Sequence, residues 1–378
     1  MRRRNKKKKF KIVFTGGGSG GHIFPLVAII RQMKKIDQDN RFVYYYIGPR
    51  DALALSYLPK EGVKMLTTLG GKIRRYFSIW NIVDIFFRIP ASFILSFFYL
   101  FFTSPDLVFS KGGFGSFPTV VWSLLMQIPL FIHESDMVMG KANRFGARWA
   151  LEVFTSFPSS KDSQKRYINV GNPIRTNILE GEKEVSRKAL GILSNKPVIL
   201  ILGGSQGAQQ INSVVLEVLQ PLLEQFEVIH HCGQKHFDQI RTMAKIAVDQ
   251  KFWRSYHPYP FLEEWETINA YQAADLIIAR AGSGTIFEIA ALGKPSIIIP
   301  LANSAANHQI KNAYVFQDYG AQVIEENNFT PHFFLKSVQN TFNNPEAMKR
   351  RGEAARKFSR PRSARIIAEY LVSYLLLK

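Results

Sequence analysis

The stretch "KIVFTGGGSGGHIFP", residues 11–25, decides how the rest of the chain is interpreted. A short apolar run precedes five glycines in six positions, and His22 and Pro25 follow. This order predicts a buried parallel strand, a glycine turn and a helix that begins near Pro25. Amides at a helix N-terminus attract anions and electron-rich oxygens, and glycine lets such a ligand approach closely.

The same loop satisfies the G-x-G-x-x-G pattern of dinucleotide-binding proteins through Gly16, Gly18 and Gly21. A nicotinamide enzyme would also carry an acidic residue at the end of the second strand to hold the ribose. Here the second apolar run, "RFVYYYIGPR", ends in glycine, proline and arginine. Hydride transfer is therefore a minor alternative.

Apolar runs of strand length alternate with segments of helix length along the whole chain. The runs are "KIVFT", "RFVYYYIG", "DLVFS", "PLFIHE", "VILILGG", "EVIHHCG", "DLIIAR" and "PSIIIPL". Such alternation is typical of parallel sheets with crossover helices. Because a glycine turn follows a strand at Gly16 and again at Gly203, we predict an α/β protein with two doubly wound, Rossmann-like domains.

The domain boundary is predicted within "GNPIRTNILEGEKE", where glycine, proline and charge replace apolar periodicity. We assign residues 1–9 to a basic tail, 10–174 to the N-terminal domain and 175–359 to the C-terminal domain. Residues 360–378 are predicted to form a helix that docks on the N-terminal domain, since their apolar residues recur at helical spacing.

Composition limits the partners and the compartment. The chain has 49 Lys and Arg against 29 Asp and Glu, a net charge of +20, which favours nucleic acid, an acidic membrane surface or phosphorylated small molecules. A single cysteine, Cys232, and the lack of a signal-peptide pattern favour the cytoplasm. The basic run "MRRRNKKKKF" is interpreted either as a disordered tail or as an anchor on a membrane or nucleic acid.

Residues 76–102, "YFSIWNIVDIFFRIPASFILSFFYLFF", are unusually rich in aromatic and aliphatic residues. The uninterrupted apolar part after Arg88 is shorter than the roughly 20 residues that cross a bilayer. Two main interpretations stay open, a helix buried against the sheet or an interfacial helix assisted by Lys72, Arg74, Arg75 and Arg88, and a transmembrane span is a minor alternative.

His22 and residues of three further loops are candidate functional residues. His22 is predicted at the start of a helix, where the helix dipole favours the neutral imidazole that a general base requires. Ser205 lies in a second glycine turn that resembles a phosphate seat. Glu288 is predicted on the first turn of a helix. Its carboxylate could accept hydrogen bonds from both hydroxyls of a ribose, or it could simply interact favourably with the helix dipole. Gln309 lies at another strand end and suits a sugar hydroxyl.

Seven motifs in register resemble the family of peptidoglycan N-acetylglucosaminyltransferases that convert lipid I to lipid II, the MurG family. The resemblance spans almost the whole chain. The motifs are "GGSGGHIFP" (17–25), "GGFGSFP" (112–118), "HES" (133–135), "GNPIR" (171–175), "GGSQGA" (203–208), "RAGSGTIFEIAALGKP" (280–295) and "NHQIKNA" (307–313).

The resemblance implies a GT-B glycosyltransferase whose two domains face each other across a cleft. It implies UDP-N-acetylglucosamine as the donor, bound mainly by the C-terminal domain. The acceptor would be lipid I, a polyprenyl diphosphate that carries N-acetylmuramoyl-pentapeptide, bound by the N-terminal domain at the cytoplasmic face of the membrane. Inverting transfer would form a β-1,4 bond. The implied partners are these two substrates and an anionic membrane surface, with no nucleic acid, and no cofactor or metal is expected.

By similarity, the family's functional positions fall on particular residues of this chain. Ser19, Gly20 and Gly21 approach the donor, Arg175 and Ser205 hold its nucleotide and phosphates, and Leu262 lies beside the uracil. The segment Ser283, Gly284, Thr285, Ile286, Phe287 and Glu288 wraps the remainder, with Glu288 on the ribose. Gln309 faces the transferred sugar.

One position departs from the family pattern. Asp136 occupies a position where asparagine is usual, and a carboxylate cannot donate the hydrogen bonds of an amide. Two candidates for the general base therefore stay open, His22 and Asp136. Two other functions also stay open: a GT-B enzyme that glycosylates another lipid or epimerises a UDP-sugar, and a non-enzymatic nucleotide-binding module.

Overall fold

The computed structural model describes residues 8–17, 20–37, 39–71, 79–158, 166–203 and 208–377. The chain divides into two compact units. The first unit runs to Arg175 and resumes at Pro361, and the second comprises Thr176–Arg360.

Seven parallel strands form one sheet in the described part of the first unit. They are β1 (Phe10–Thr15), β2 (Phe42–Pro49), β3 (Lys64–Thr68), β4 (Leu107–Ser110), β5 (Leu130–Glu134), β6 (Glu152–Thr155) and β7 (Tyr167–Asn169). Their order is β3-β2-β1-β4-β5-β6-β7, and Ile12 of β1 is in register with Tyr44 of β2 and Leu107 of β4. The order reverses between β1 and β4, so their carboxyl ends form the switch point at which such sheets bind ligands.

Helices connect these strands and cover the sheet. They are α1 (Gly20–Ile36), α2 (Ala52–Tyr57), α3 (Ile79–Val83), α4 (Ile89–Thr103), α5 (Phe117–Leu125) and α6 (Lys141–Gly146). The prediction that the first helix begins near Pro25 is wrong, because α1 begins at Gly20 and includes the proline. Glycines enter the helix without steric cost, whereas Pro25, the sixth residue of α1, removes one intrahelical hydrogen bond, to the carbonyl group of Gly21.

The second unit repeats the parallel α/β arrangement. Its helices are α7 (Lys183–Ala189), α8 (Gln209–Glu217), α9 (Leu219–Gln225), α10 (Phe237–Ala247), α11 (Glu264–Ala273), α12 (Ser283–Leu292), α13 (His308–Gln317), α14 (Pro331–Phe342) and α15 (Pro345–Phe358). Its strands are β8 (Val198–Leu202), β9 (Glu227–His231), β10 (Tyr256–Tyr259), β11 (Leu276–Ala279), β12 (Ser296–Ile298) and β13 (Gln322–Val323). They are ordered β10-β9-β8-β11-β12-β13, which places the switch point between β8 and β11.

The last helix, α16 (Ser363–Leu376), belongs to the first unit. Its side chains Ile367 and Leu371 are fully buried in the core that α1 also lines. Ser363 anchors its first turn by donating a hydrogen bond of 2.7 Å to the carbonyl oxygen of Asn172. Burial of this apolar face, rather than helix propensity, stabilises the helix.

The predicted fold class is confirmed, and each of the eight apolar runs named above forms a strand. The strands β3, β6, β7, β10 and β13 were not predicted. They are short and mostly polar, as in "KMLTT" and "YHPY". Pairing with a neighbouring strand determines such segments, and the local sequence carries little signal for it.

The apolar segment forms one continuous helical path. A π-helical turn, Asp84–Arg88, joins α3 to α4. The apolar part after Arg88 forms the 15-residue helix α4, which is shorter than the roughly 20 residues that cross a bilayer, but the helical path also includes the residues before Arg88. Among the described residues, Trp80–Thr103 is the one helix whose length and composition would suffice to cross a membrane. That criterion alone does not distinguish a spanning helix from one that lies at a surface.

Candidate functional site

The carboxyl ends of β1 and β4 bring His22 against a glycine turn. His22 is the third residue of α1, which confirms its predicted place at the start of a helix. Gly113 has a φ of 86°, and a Cβ atom there would lie 2.4 Å from the Gly17 carbonyl oxygen and 3.4 Å from Nε2 of His22. Only glycine fits this approach. The turn after β4 therefore fixes the position of the imidazole.

The glycines before α1 differ in their surroundings. Gly20 is buried, and a Cβ atom there would lie 3.1 Å from the Phe24 ring. Gly21, also in the first turn of the helix, is exposed. Ser19 lies outside the described residues. The first turn of α1 is thus accessible at Gly21, and the amides of a first helix turn suit an anionic ligand.

Arg175, a predicted nucleotide contact, is the last residue of the first unit. Its guanidinium lies over the ring of Phe24 on α1, 4.5 Å from the ring centroid, and the side chain is buried. This cation–π contact holds the positive charge of Arg175 against the helix that carries His22.

Asp136 follows β5, in the loop that begins at Ser135. Its side chain is half-buried, and its backbone amide donates to Oε1 of Glu134 at 3.2 Å. Oε2 of Glu134 accepts from the Gly140 amide at 2.9 Å and from Nδ2 of Asn143 at 3.0 Å. The Glu134 carboxyl group thus shapes the loop that presents Asp136. Burial, and the nearby Asp136 carboxylate, raise the pKa of Glu134.

In the second unit, Glu288 lies on α12 and is buried. Its Oε2 accepts a hydrogen bond of 2.9 Å from the hydroxyl of Tyr271 on α11. The predicted first-turn position of Glu288 is wrong: α12 begins at Ser283, so Glu288 is in the second turn. The helix dipole acts mainly within the first turn, so it is a poorer explanation of this carboxylate than a ligand is.

The neighbours of Glu288 in the predicted site divide into two groups. Ser283, Ile286 and Phe287 are buried, and Phe287 packs on the ring of Phe358 at 4.7 Å. Gly284 and Thr285 are half-buried. Contacts to a ligand from the first group would come from the main chain.

The remaining residues predicted to bind the donor belong to the second unit. Leu262 is buried in the segment between β10 and α11. Gln309 is half-buried on α13, and its Oε1 accepts from the Leu301 amide at 3.0 Å, which orients the carboxamide. Ser205 lies outside the described residues, although the strand before it, β8, borders the switch point.

Sequence reasoning did not single out Lys111, Glu134 or Tyr271. Lys111 directly follows the buried strand β4, and a lysine between an apolar run and "GG" is the signal that was missed. Tyr271 carries no local signal, because its partner is 17 residues away in the chain.

Each unit thus presents a different chemistry at the carboxyl edge of its sheet. The first offers an imidazole, a carboxylate and exposed helix amides, and the second offers a carboxylate on a buried helix turn with a carboxamide. Among the described residues, no group of three or more His, Cys, Asp or Glu side chains could hold a metal ion. Such edges suit the binding of hydroxyls and phosphates by hydrogen bonds.

Known proteins match most of this chain in both domains. The glycosyltransferase family 28 N-terminal domain matches residues 12–155, and the family 28 C-terminal domain matches residues 198–366. Two similar curated proteins are named UDP-N-acetylglucosamine–N-acetylmuramyl-(pentapeptide) pyrophosphoryl-undecaprenol N-acetylglucosamine transferase. That of Treponema denticola is 33% identical, with 97% of this chain and 98% of its own covered. That of Clostridium perfringens is 36% identical, with 90% and 92% covered.

A solved structure shows the same fold. The crystal structure of Acinetobacter baumannii MurG superimposes with a TM-score of 0.70 at 23% identity, covering 97% of this chain and 99% of that one.

Proposed function

This chain belongs to glycosyltransferase family 28, and from that membership we propose that it transfers N-acetylglucosamine from UDP-N-acetylglucosamine to lipid I. The product is lipid II, a precursor of peptidoglycan. The observation that carries the proposal is the similarity, over 90% or more of the chain, to curated proteins named for this transferase activity.

The two units supply different parts of the reaction in this proposal. The second unit binds the donor, with Glu288 on the ribose and Gln309 on the transferred sugar. The first unit binds the acceptor diphosphate at the start of α1, where Gly21 also approaches the sugar of the donor, and His22 or Asp136 takes the proton from the attacking hydroxyl. Backbone amides at the glycine turns meet the charge that develops on the leaving UDP.

Product analysis tests the proposal directly. The protein, mixed with radiolabelled UDP-N-acetylglucosamine and lipid I in detergent, is expected to transfer the label to the lipid, and UDP-glucose is expected to be a poorer donor. Diacylglycerol as the acceptor tests the alternative lipid substrate. Conversion of the free UDP-sugar to its epimer, with no labelled lipid, would contradict the proposal. The names of the two curated relatives do not favour the epimerase alternative.

We further propose that α3 and α4 attach the enzyme to the membrane that holds its acceptor. The outward face of this path is apolar: Phe86, Phe87 and Phe102 are 68%, 69% and 74% exposed. Exposed apolar area of this kind marks a membrane or protein contact. Of the phenylalanines on α4, Phe98 is also exposed, whereas Phe93 and Phe97 are half-buried.

The inward face of α4 is small and polar, as in helices that pack within lipid. Ser92 and Ser96 are buried, and Ser96 approaches the hydroxyl of Thr119 on α5 at 3.5 Å. Ser92 donates to the Gly70 carbonyl oxygen at 2.8 Å. A helix with serines inside and phenylalanines outside reverses the pattern of a water-facing helix. In the π-helical turn before α4, the buried carboxylate of Asp84 is paired with Arg88, whose Nη1 lies 3.1 Å from Oδ1.

Changing Phe86 and Phe87 to serine is expected to weaken binding to vesicles about 30-fold, since each of the two rings contributes roughly 1 kcal/mol on entering lipid. Vesicles that contain phosphatidylglycerol, sedimented at low and high salt, provide the measurement. Binding of the unaltered protein should rise with anionic lipid and fall with salt. Of the basic residues invoked for this attraction, Lys72, Arg74 and Arg75 lie outside the described residues.

A matched control is Phe333→Ser on α14 of the second unit, where the ring is 47% exposed. It should leave vesicle binding unchanged. Retained vesicle binding in a folded Phe86→Ser, Phe87→Ser protein would place the membrane contact elsewhere.

A further inference from the structure

Lys111 is a fully buried lysine at the switch point of the first sheet. It is the first residue after β4 and only 1% exposed. A Cβ atom at Gly16, after β1, would lie 3.3 Å from the Lys111 Cβ. Lysine is almost never fully buried without partners, so the contacts of its ammonium group define its role.

The ammonium group binds two side chains of the segment that ends β5. Nζ lies 2.8 Å from Nδ1 of His133 and also donates to the hydroxyl of Ser135. Nε2 of His133 lies 3.0 Å from the Gly171 carbonyl oxygen, which can only accept. Nε2 therefore carries the proton, and Nδ1 accepts from Lys111. Burial and the Lys111 charge lower the pKa of His133 well below its usual range.

Lys111 is linked to the surroundings of both candidate bases. The two residues after it, Gly112 and Gly113, form the turn that abuts His22 and have φ angles of 83° and 86°. Its hydrogen bond to Ser135 connects it to the loop that carries Asp136. Burial lowers the pKa of Lys111 to about 8, and the carboxylates of Glu134 and Asp136 oppose that change, so the lysine is charged at neutral pH.

Stability does not account for this arrangement. A buried charged group costs desolvation free energy, and apolar residues of similar volume are often neutral or stabilising in such a place. A charge that joins two loops gives fixed geometry instead, and catalysis depends steeply on the placement of reacting groups.

We propose that Lys111 is a positioning residue for the acceptor side of the reaction, holding the turn Gly112–Gly113 and the loop 135–140 in register so that His22 and Asp136 face the acceptor together. The proposal rests on the proposed function, because the first unit must bind the acceptor. Lys111 itself touches neither substrate.

The test is Lys111→Met, which keeps the length of the side chain and removes the charge. It is expected to lower kcat/KM for lipid I about tenfold, because the loops lose their shared anchor. The KM for UDP-N-acetylglucosamine should stay within about twofold, since most of the proposed donor residues, Glu288 and Gln309 among them, belong to the second unit.

Lys294 of the second unit provides a matched control. It is a half-buried lysine whose pKa burial likewise lowers to about 8, and its Nζ donates to the carbonyl oxygens of Gln272 and Ala274 at 2.9 and 2.7 Å. Lys294→Met should reduce thermal stability without changing kcat/KM for lipid I. A general loss of stability would affect both variants alike.

Ser135→Ala keeps the test decisive if Lys111→Met does not fold. It removes one bond of the anchor and should lower kcat/KM for lipid I about threefold, again with an unchanged donor KM. Unchanged lipid I kinetics in a folded Lys111→Met or Ser135→Ala protein would overturn the inference. So would an equal effect of Lys294→Met. Failure of the unaltered protein to make lipid II would instead contradict the proposed function.

Discussion

Replacing His22 with alanine is expected to lower kcat by about 10²- to 10⁴-fold, the usual effect of losing a general base. The affinity for UDP should stay nearly constant, because Glu288 and most of the other proposed donor residues lie in the second unit. His22 has the geometry for this role: it lies in the first turn of α1, and its Nε2 edge faces the turn at Gly113. Single-turnover kinetics with bound donor would separate this chemical effect from substrate binding.

Asp136 provides the rival outcome, and Asp136→Asn is the matched variant because it keeps the shape of the side chain. If His22 is the base, Asp136→Asn should retain most of the activity, since the amide can still hydrogen-bond to the acceptor. Near-normal turnover of His22→Ala together with an inactive Asp136→Asn protein would transfer the role to Asp136. His22→Gln distinguishes loss of the base from loss of volume, and should be as impaired as His22→Ala.

Several features were predictable because they depend on local sequence. The run "VILIL" is apolar at every position, which only a strand covered on both faces requires, and it forms β8 at the centre of the second sheet. The place of His22 followed from the glycine turn, because glycine marks the passage from a strand to a helix that binds anions. Only the helix start was displaced, from Pro25 to Gly20.

Other features could not be predicted, because they depend on contacts between distant residues. The lysine between an apolar run and two glycines in "LVFSKGG" marks Lys111 as unusual, but its burial depends on its partners His133 and Ser135, which lie 22 and 24 residues away. In α4 every face is apolar enough to be buried, so composition did not reveal that the serines, rather than the phenylalanines, point inward. Packing against α5 decides that orientation.

The charge of the chain illustrates a third limit. A net charge of +20 indicated anionic partners without choosing among them. The names of the similar curated proteins indicate a nucleotide-sugar donor and a pyrophosphoryl-undecaprenol acceptor, and both suit the helix amides at the sheet edges.

Glu288→Ala is expected to weaken UDP binding by about 1–3 kcal/mol, the scale for losing hydrogen bonds to a charged group, or roughly 5- to 150-fold in Kd. The carboxylate is buried on the second turn of α12 and held by the Tyr271 hydroxyl at 2.9 Å, so it is oriented before a ligand arrives. Such preorganisation reduces the entropy lost on binding. Calorimetric titration with UDP measures the effect.

The ribose role can be separated from a general disturbance of the second unit by changing the ligand as well as the protein. With 2′-deoxy-UDP, which lacks one of the two hydroxyls, the penalty of Glu288→Ala should shrink, because part of the lost interaction is already absent. Tyr271→Phe serves as the companion variant: it keeps the carboxylate but frees its orientation, and should weaken UDP binding by about 0.5–1.5 kcal/mol. An equal penalty with UDP and 2′-deoxy-UDP would show that Glu288 acts on the fold of α12 and not on the 2′-hydroxyl, and unchanged affinity in Glu288→Ala would remove it from the donor site altogether.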